Sequence, residues 1–139
     1  MGLALHLATW SKDRSTKVGC IIVDRDRCIR AIGYNGFPRG IEDTVDERHA
    51  RPAKYRWTEH AERNAIYSAA RIGVSVSNCT MYLPWFPCMD CARAIVQAGI
   101  IELVAIKPDT SHHQWGEDFK LSLELLAEAG VQVRWYEAE

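Results

Sequence analysis

Two short stretches of the chain hold residue types that bind metals and move protons. One is His60-Ala61-Glu62. The other is Pro87-Cys88-Met89-Asp90-Cys91, which begins after 24 intervening residues. A Cys-x-x-Cys pair presents two thiolates to one ion from the first turn of a helix, where the positive end of the helix dipole favours the anionic form. His60 adds one imidazole nitrogen, a borderline ligand beside two soft ones. Three such ligands suit tetrahedral zinc with its fourth position open. An open position on zinc holds activated water, which means hydrolytic chemistry. Glu62, two residues from a ligand, is placed to exchange protons with that water and with a substrate. We therefore read His60, Cys88 and Cys91 as ligands of a Zn2+ cofactor and Glu62 as the catalytic acid–base.

Cys-x-x-Cys has two other uses. A structural zinc site needs a fourth protein ligand, for which Cys79, His112 and His113 are the candidates. A redox dithiol belongs near the first strand of a thioredoxin-like unit, and this one follows the third predicted strand. A closed site has no need of a carboxylate beside it, so Glu62 favours catalysis. Cys20 and Cys28 lie in apolar runs and Cys79 opens a strand; all three read as small core-filling residues. Five cysteines with no export signal imply reduced thiols and a cytoplasmic setting.

The elements that must position these residues follow from periodicity. Residues 3–10 suit a short helix and 11–16 a polar turn. Residues 18–24 and 28–34 form a β-hairpin, followed by the structured loop Asn35-Gly36-Phe37-Pro38-Arg39-Gly40. Residues 41–58 read as an irregular connection. Helices are predicted over 59–71, capped by Thr58, over 88–98, and over 117–129, with Gly73, Gly99 and Gly130 ending them. Strands fall at 79–83, 100–106 and 131–136. The order α-β-β-α-β-α-β-α-β, with right-handed crossovers, predicts an α/β fold. It is a three-layer arrangement around one mixed five-stranded sheet, opened by an antiparallel hairpin and continued by parallel strands.

The chain has 139 residues, 47% hydrophobic and 25% charged, which fits one domain over 1–139 and excludes a disordered or fibrous role. No apolar run approaches the ~20 residues of a membrane span. Seventeen basic against eighteen acidic residues give a net charge of −1, which argues against a surface that coats long nucleic acid. The partner implied is a small molecule.

His-x-Glu followed by Pro-Cys-x-x-Cys resembles the zinc nucleobase deaminases. Within that family the chain resembles the deoxycytidylate deaminases. The resemblance is carried by Ser11-Lys12-Asp13-Arg14-Ser15-Thr16-Lys17-Val18-Gly19, by Gly33 through Gly40, by His60-Ala61-Glu62-Arg63-Asn64-Ala65-Ile66, and by Cys91 through Ile100. It implies a cytidine-deaminase-like fold and conversion of dCMP and water to dUMP and ammonia. Glu62 would shuttle the proton from water to ring nitrogen and then to the leaving amine. Asn35 would bind the sugar hydroxyl and the Ala61 backbone the pyrimidine edge. Lys17, Arg14 and Arg39 would be candidates for the 5′-phosphate. Family members assemble as homo-oligomers, and exposed aromatic surface at Trp85 and Phe86 would suit such a contact. The alternative substrate is another small amino-heterocycle, whether nucleoside, free base or modified base. That alternative arises because the resemblance departs after the fourth strand. Tyrosines usual there are replaced by the segment 107–115, with His112, His113 and Trp115; Trp57, Trp85 and Trp115 are candidate pocket walls. His49 is a weak candidate ligand for a second metal.

Overall fold

β-branched and apolar residues open the sheet as an antiparallel hairpin, β1 (Gly19–Val23) and β2 (Ile29–Tyr34). β1 also pairs antiparallel with β3 (Thr80–Leu83). From there the ladder turns parallel, through β4 (Glu102–Ala105) to β5 (Gln132–Trp135). The strand order is β2-β1-β3-β4-β5, the mixed five-stranded sheet expected. The computed structural model describes residues 1–137; the last two residues of the expected domain at 1–139 lie outside the described residues.

Alternation along the strands separates two faces. Cys20, Ile22, Met81, Leu83, Leu103 and Ala105 point to one face, where they pack with Ala61, Ala65, Ile95, Phe119 and Leu126. These helical residues belong to α4 (Ala61–Ile72), α5 (Met89–Gln97) and α6 (Gly116–Glu128). On the other face Ile21 packs against Ala4 and Leu7 of α1 (Gly2–Ala8). The layers are therefore α1, sheet, and the trio α4–α6. Two glycines set the spacing. A Cβ at Gly33 would lie 2.3 Å from the Ala61 carbonyl oxygen, and one at Gly19 would lie 2.2 Å from that of Ala4. The sheet thus carries helix backbone directly against it, and α4 cannot sit at this depth over any larger residue.

Several expectations needed correction. Residues 41–58 are not wholly irregular: they hold two single helical turns, α2 (Asp46–His49) and α3 (Lys54–Trp57). Four residues are too few for periodicity to show. Thr58 does not cap α4; the N-cap is His60, with an extended backbone and no side-chain cap bond. Thr58 instead closes α3, its N–H donating to the Lys54 carbonyl at 2.9 Å. Cys28 is exposed, because it lies at the hairpin turn before β2 begins, whereas Cys20 and Cys79 are buried as expected. Phe86 is buried at 2% exposure, so only Trp85 of that pair offers aromatic surface. Among the described residues no helix is long and apolar enough to cross a membrane.

Candidate active site

The first turns of α4 and α5 bring the two motifs together. His60 is the N-cap of α4 and Cys88 the N-cap of α5, with Cys91 one turn further in. His60 Nδ1 lies 3.5 Å from Cys88 Sγ and 3.4 Å from Cys91 Sγ. Tetrahedral zinc with bonds of about 2.3 Å to sulfur and about 2.05 Å to nitrogen places those atoms about 3.6 Å apart. The donor set therefore has the spacing of a zinc site, with Nδ1 as the imidazole donor. Among the described residues this is the cluster of three whose ligand atoms all lie within 4.8 Å of one another. The remaining candidates are elsewhere. The Cys79 thiol donates to the Ser77 carbonyl at 3.6 Å, and His49 Nε2 bonds the Asp43 carbonyl at 2.6 Å while its ring stacks on Phe37. His112 and His113 line the cavity but do not join the ligand cluster, so among the described residues no fourth protein ligand joins the three.

The electrostatics favour one anionic thiolate, at Cys88, beside a carboxyl shifted upward by burial. A hydrogen bond from the Cys91 thiol, aided by His60, brings the Cys88 thiol down to about 4 against the upward push of burial. The same bond, with burial, pushes Cys91 upward. His60 is raised by its bond to Cys88, which outweighs burial. Burial raises Glu62 above the ordinary carboxylate value, while His60 opposes the shift. Glu62 is 3% exposed and lines the cavity, within reach of a bound ligand.

Residues beyond the motif brace this centre, and sequence reading passed over them. Arg63 grips Glu59 at 2.5 Å and reaches Asp90, between the two cysteines, at 3.5 Å. It thereby ties the start of α4 to the start of α5. Burial works against its charge, but Cys91, Glu59 and Cys88 outweigh that and raise its pKa. Asp118 on α6 accepts the Met89 N–H at 2.8 Å, a cap lent by another helix because Cys88 supplies none. A carboxylate next to a helix start in sequence would have signalled a cap; this one is 29 residues away.

The cavity over this centre has a volume of about 380 Å³, within the range of small-molecule sites. Glu62, Ala61, Cys88 and Phe86 form its buried end. Asn35, Trp85 and Trp115 line its walls. Asn35 is 7% exposed, and its amide is pinned by backbone: Oδ1 accepts the Val18 N–H and Nδ2 donates to the Thr16 carbonyl, both at 2.8 Å. One lone pair and one N–H of that amide remain for a ligand. Trp57 stands outside the lining, its ring covered by the Arg48 guanidinium at 4.1 Å.

The three cations suggested for phosphate are not in the wall either. Asp13 takes the inward position of its loop and bonds the N–H groups of Ser15 and Thr16 at 2.9 and 3.0 Å. That turns Arg14 and Lys17 outward. Arg14 pairs with Asp46 at 2.8 Å, Arg39 reaches Ser68 Oγ at 3.5 Å, and Lys17 is exposed. The cavity is lined instead by Arg51, Lys54, His112 and His113.

Three side chains positioned to hold a metal ion, with a buried carboxyl lining the cavity over them, give this α/β sheet the donor set of a hydrolytic metal centre. The family model for the cytidine and deoxycytidylate deaminase zinc-binding region matches residues 1–107. The chain belongs to that family. It is 37% identical over 136 residues to an uncharacterised deaminase in the luxG 3′ region of Aliivibrio fischeri, covering 96% of this chain and 88% of that protein. It is 39% identical over 109 residues to human deoxycytidylate deaminase, covering 75% of this chain and 60% of the human protein. The dCMP deaminase of cyanophage S-TIM5, solved with dCMP and dUMP, superimposes with a TM-score of 0.78 at 25% identity. That match spans 97% of this chain and 92% of the phage chain.

Proposed function

We propose that this protein is a zinc-dependent deaminase converting dCMP and water to dUMP and ammonia. The observation that carries the reading is the His60-Cys88-Cys91 cluster with Glu62 buried beside it at the end of a nucleotide-sized cavity. The relatives named deoxycytidylate deaminase support the choice of pyrimidine nucleotide. Bound at His60, Cys88 and Cys91, zinc supplies Lewis acidity and a water of lowered pKa.

The chain's own groups do the rest. Glu62 accepts the proton from the attacking water and delivers it to ring N3, so that C4 is attacked as N3 is protonated. Glu62 then takes the proton of the new C4 hydroxyl and passes it to the exocyclic amine, which leaves as ammonia as the C4–N4 bond breaks and the C4 carbonyl forms. Burial raises the Glu62 pKa above the ordinary carboxylate value, the direction that suits a carboxyl asked to give a proton as well as take one. The Ala61 backbone meets the ring edge, the pinned Asn35 amide meets the sugar hydroxyl, and Trp85 walls the cleft.

Free cysteines throughout fit a reducing, cytoplasmic setting, and a homo-oligomer is part of the same proposal, with exposed Trp85 at the cavity wall as a contact. The test is ammonia release by zinc-loaded protein from dCMP, CMP, deoxycytidine, cytosine, adenine and guanine. Turnover of dCMP well above the others is expected; turnover of a free purine base in preference to every pyrimidine would overturn the reading.

A further inference from the structure

Arg51 is a guanidinium in the cavity wall that no carboxylate balances. Its Nε donates to the Tyr55 hydroxyl at 2.8 Å and its Nη2 to Ser15 Oγ at 3.2 Å; among the described residues no Asp or Glu pairs with it. Two hydroxyls orient the fork without neutralising it, and three of its five N–H donors stay free. The neighbouring cation is different. Lys54 is 8% exposed and closed by Asp13 at 3.0 Å and by Ser15 Oγ at 2.7 Å. Burial works against the Asp13 charge, but the Thr16 and Ser15 N–H groups and Lys54 hold its pKa at about 2. The Lys54 charge is thus already matched, and the rim's unmatched charge is that of Arg51.

The segment after β4 supplies a second donor to the same rim. His112 Nδ1 accepts the N–H groups of Gln114 and Trp115, each at 3.2 Å. The neutral ring therefore carries its proton on Nε2, a donor of fixed tautomer. The two sides of the rim touch. The Tyr55 ring, bonded to Arg51, meets Trp115 edge-on at 6.3 Å, and Trp115 meets the ligand His60 edge-on at 6.2 Å. A charged fork with three free N–H groups beside a fixed N–H is the chemistry that grips a phosphate dianion. Its place agrees: Arg51 is at the exposed end of the cavity and Glu62 at the buried end. A nucleotide lying base-down would carry its phosphate outward.

We infer that Arg51 and His112 bind the 5′-phosphate and make this site select a nucleotide over a nucleoside. The inference rests on the deaminase reading and assigns its specificity to residues outside the family motif. The experiment compares kcat/KM for dCMP and deoxycytidine in wild type, Arg51→Ala, Arg51→Lys, His112→Ala and Arg39→Ala. Calorimetric binding of dUMP and deoxyuridine to the same zinc-loaded proteins accompanies it. Arg51→Ala should lower kcat/KM for dCMP about 30- to 100-fold and for deoxycytidine less than about threefold. Arg51→Lys should recover part of the loss, and His112→Ala should cost dCMP about tenfold. dUMP affinity should fall in parallel while deoxyuridine affinity holds. Equal losses on both substrates, or a selective loss only in Arg39→Ala, would overturn the assignment and leave the deaminase reading standing. Wild-type protein that releases no ammonia from dCMP would fail the deaminase reading, and the dUMP binding difference would still decide the phosphate pair.

Discussion

The buried end and the exposed end of one cavity are built by opposite means. At the buried end, His60, Glu62, Cys88 and Cys91 stand on the first turns of two helices. Their backbones are fixed by the sheet beneath and by Arg63 and Asp118 around them. At the exposed end, Arg51, His112 and Trp115 lie outside the strands and longer helices, each held by one or two side-chain contacts. Helix starts give the sub-ångström placement that proton transfer and metal binding require. Connecting segments give a surface that changes without disturbing the chemistry. The family model ends at residue 107, just past β4, where the segment bearing His112 begins.

Substitutions at the buried end should therefore be severe and those at its supports graded. Cys91→Ala should reduce zinc, measured by elemental analysis, from about one per chain to near zero and abolish turnover, since binding needs all three donors. Glu62→Gln should keep zinc and fold while kcat falls about 10²- to 10⁴-fold. Retained activity within about tenfold would remove Glu62 from the mechanism. Gly33→Ala should cost about 3 kcal/mol in denaturant unfolding and weaken zinc binding with it. The added methyl would meet the Ala61 and Ala65 backbone and push the first turn of α4 off the sheet.

The Asp13–Lys54 pair lines the same cavity and carries a pH signature. Asp13 has its folded pKa lowered from 3.8 to about 2. Its stabilisation is fully present above the unfolded value and disappears as pH falls from about 4 to about 2. Asp13→Asn should lose about 2 kcal/mol at pH 7, and the gap to wild type should close across that acidic window. Urea titrations at pH 7, 4 and 3 would show it; a gap independent of pH would refute the ion-pair account. The smallest effect expected is at the brace. Arg63→Ala should release zinc to a chelator about tenfold more readily, with Arg63→Lys intermediate, because a partner of the ligand shell tunes affinity without supplying it.

What the sequence made legible follows the same division. His60, Glu62, Cys88 and Cys91 are recognisable because each motif is local, and helix starts are marked by proline and by the onset of apolar spacing. The strand order is legible because β-branched runs and helical periods alternate cleanly. Arg51 is not, because it is oriented by Ser15, 36 residues earlier, and by Tyr55 of α3, a single turn with no period of its own. Arg14, Lys17 and Arg39 look better placed in sequence, next to the loop that carries Asn35. Which residue of a polar loop turns inward is decided by Asp13 bonding back to its own turn. Cys28 reads as apolar in composition, yet a hairpin turn has no interior.

The pairing of β1 with β3 has a kinetic consequence. Val23 lies opposite Thr80, so β2, α2, α3 and the whole of α4 are strung along the loop that this contact closes. His60 rides within that loop and the two cysteines lie beyond it. The three donors therefore converge only after a long-range, entropically slow contact has formed. An ion that finds its ligands after the rate-limiting encounter cannot hasten it. Zinc should lengthen the lifetime of the native chain by slowing unfolding and leave the refolding rate nearly as it is without metal.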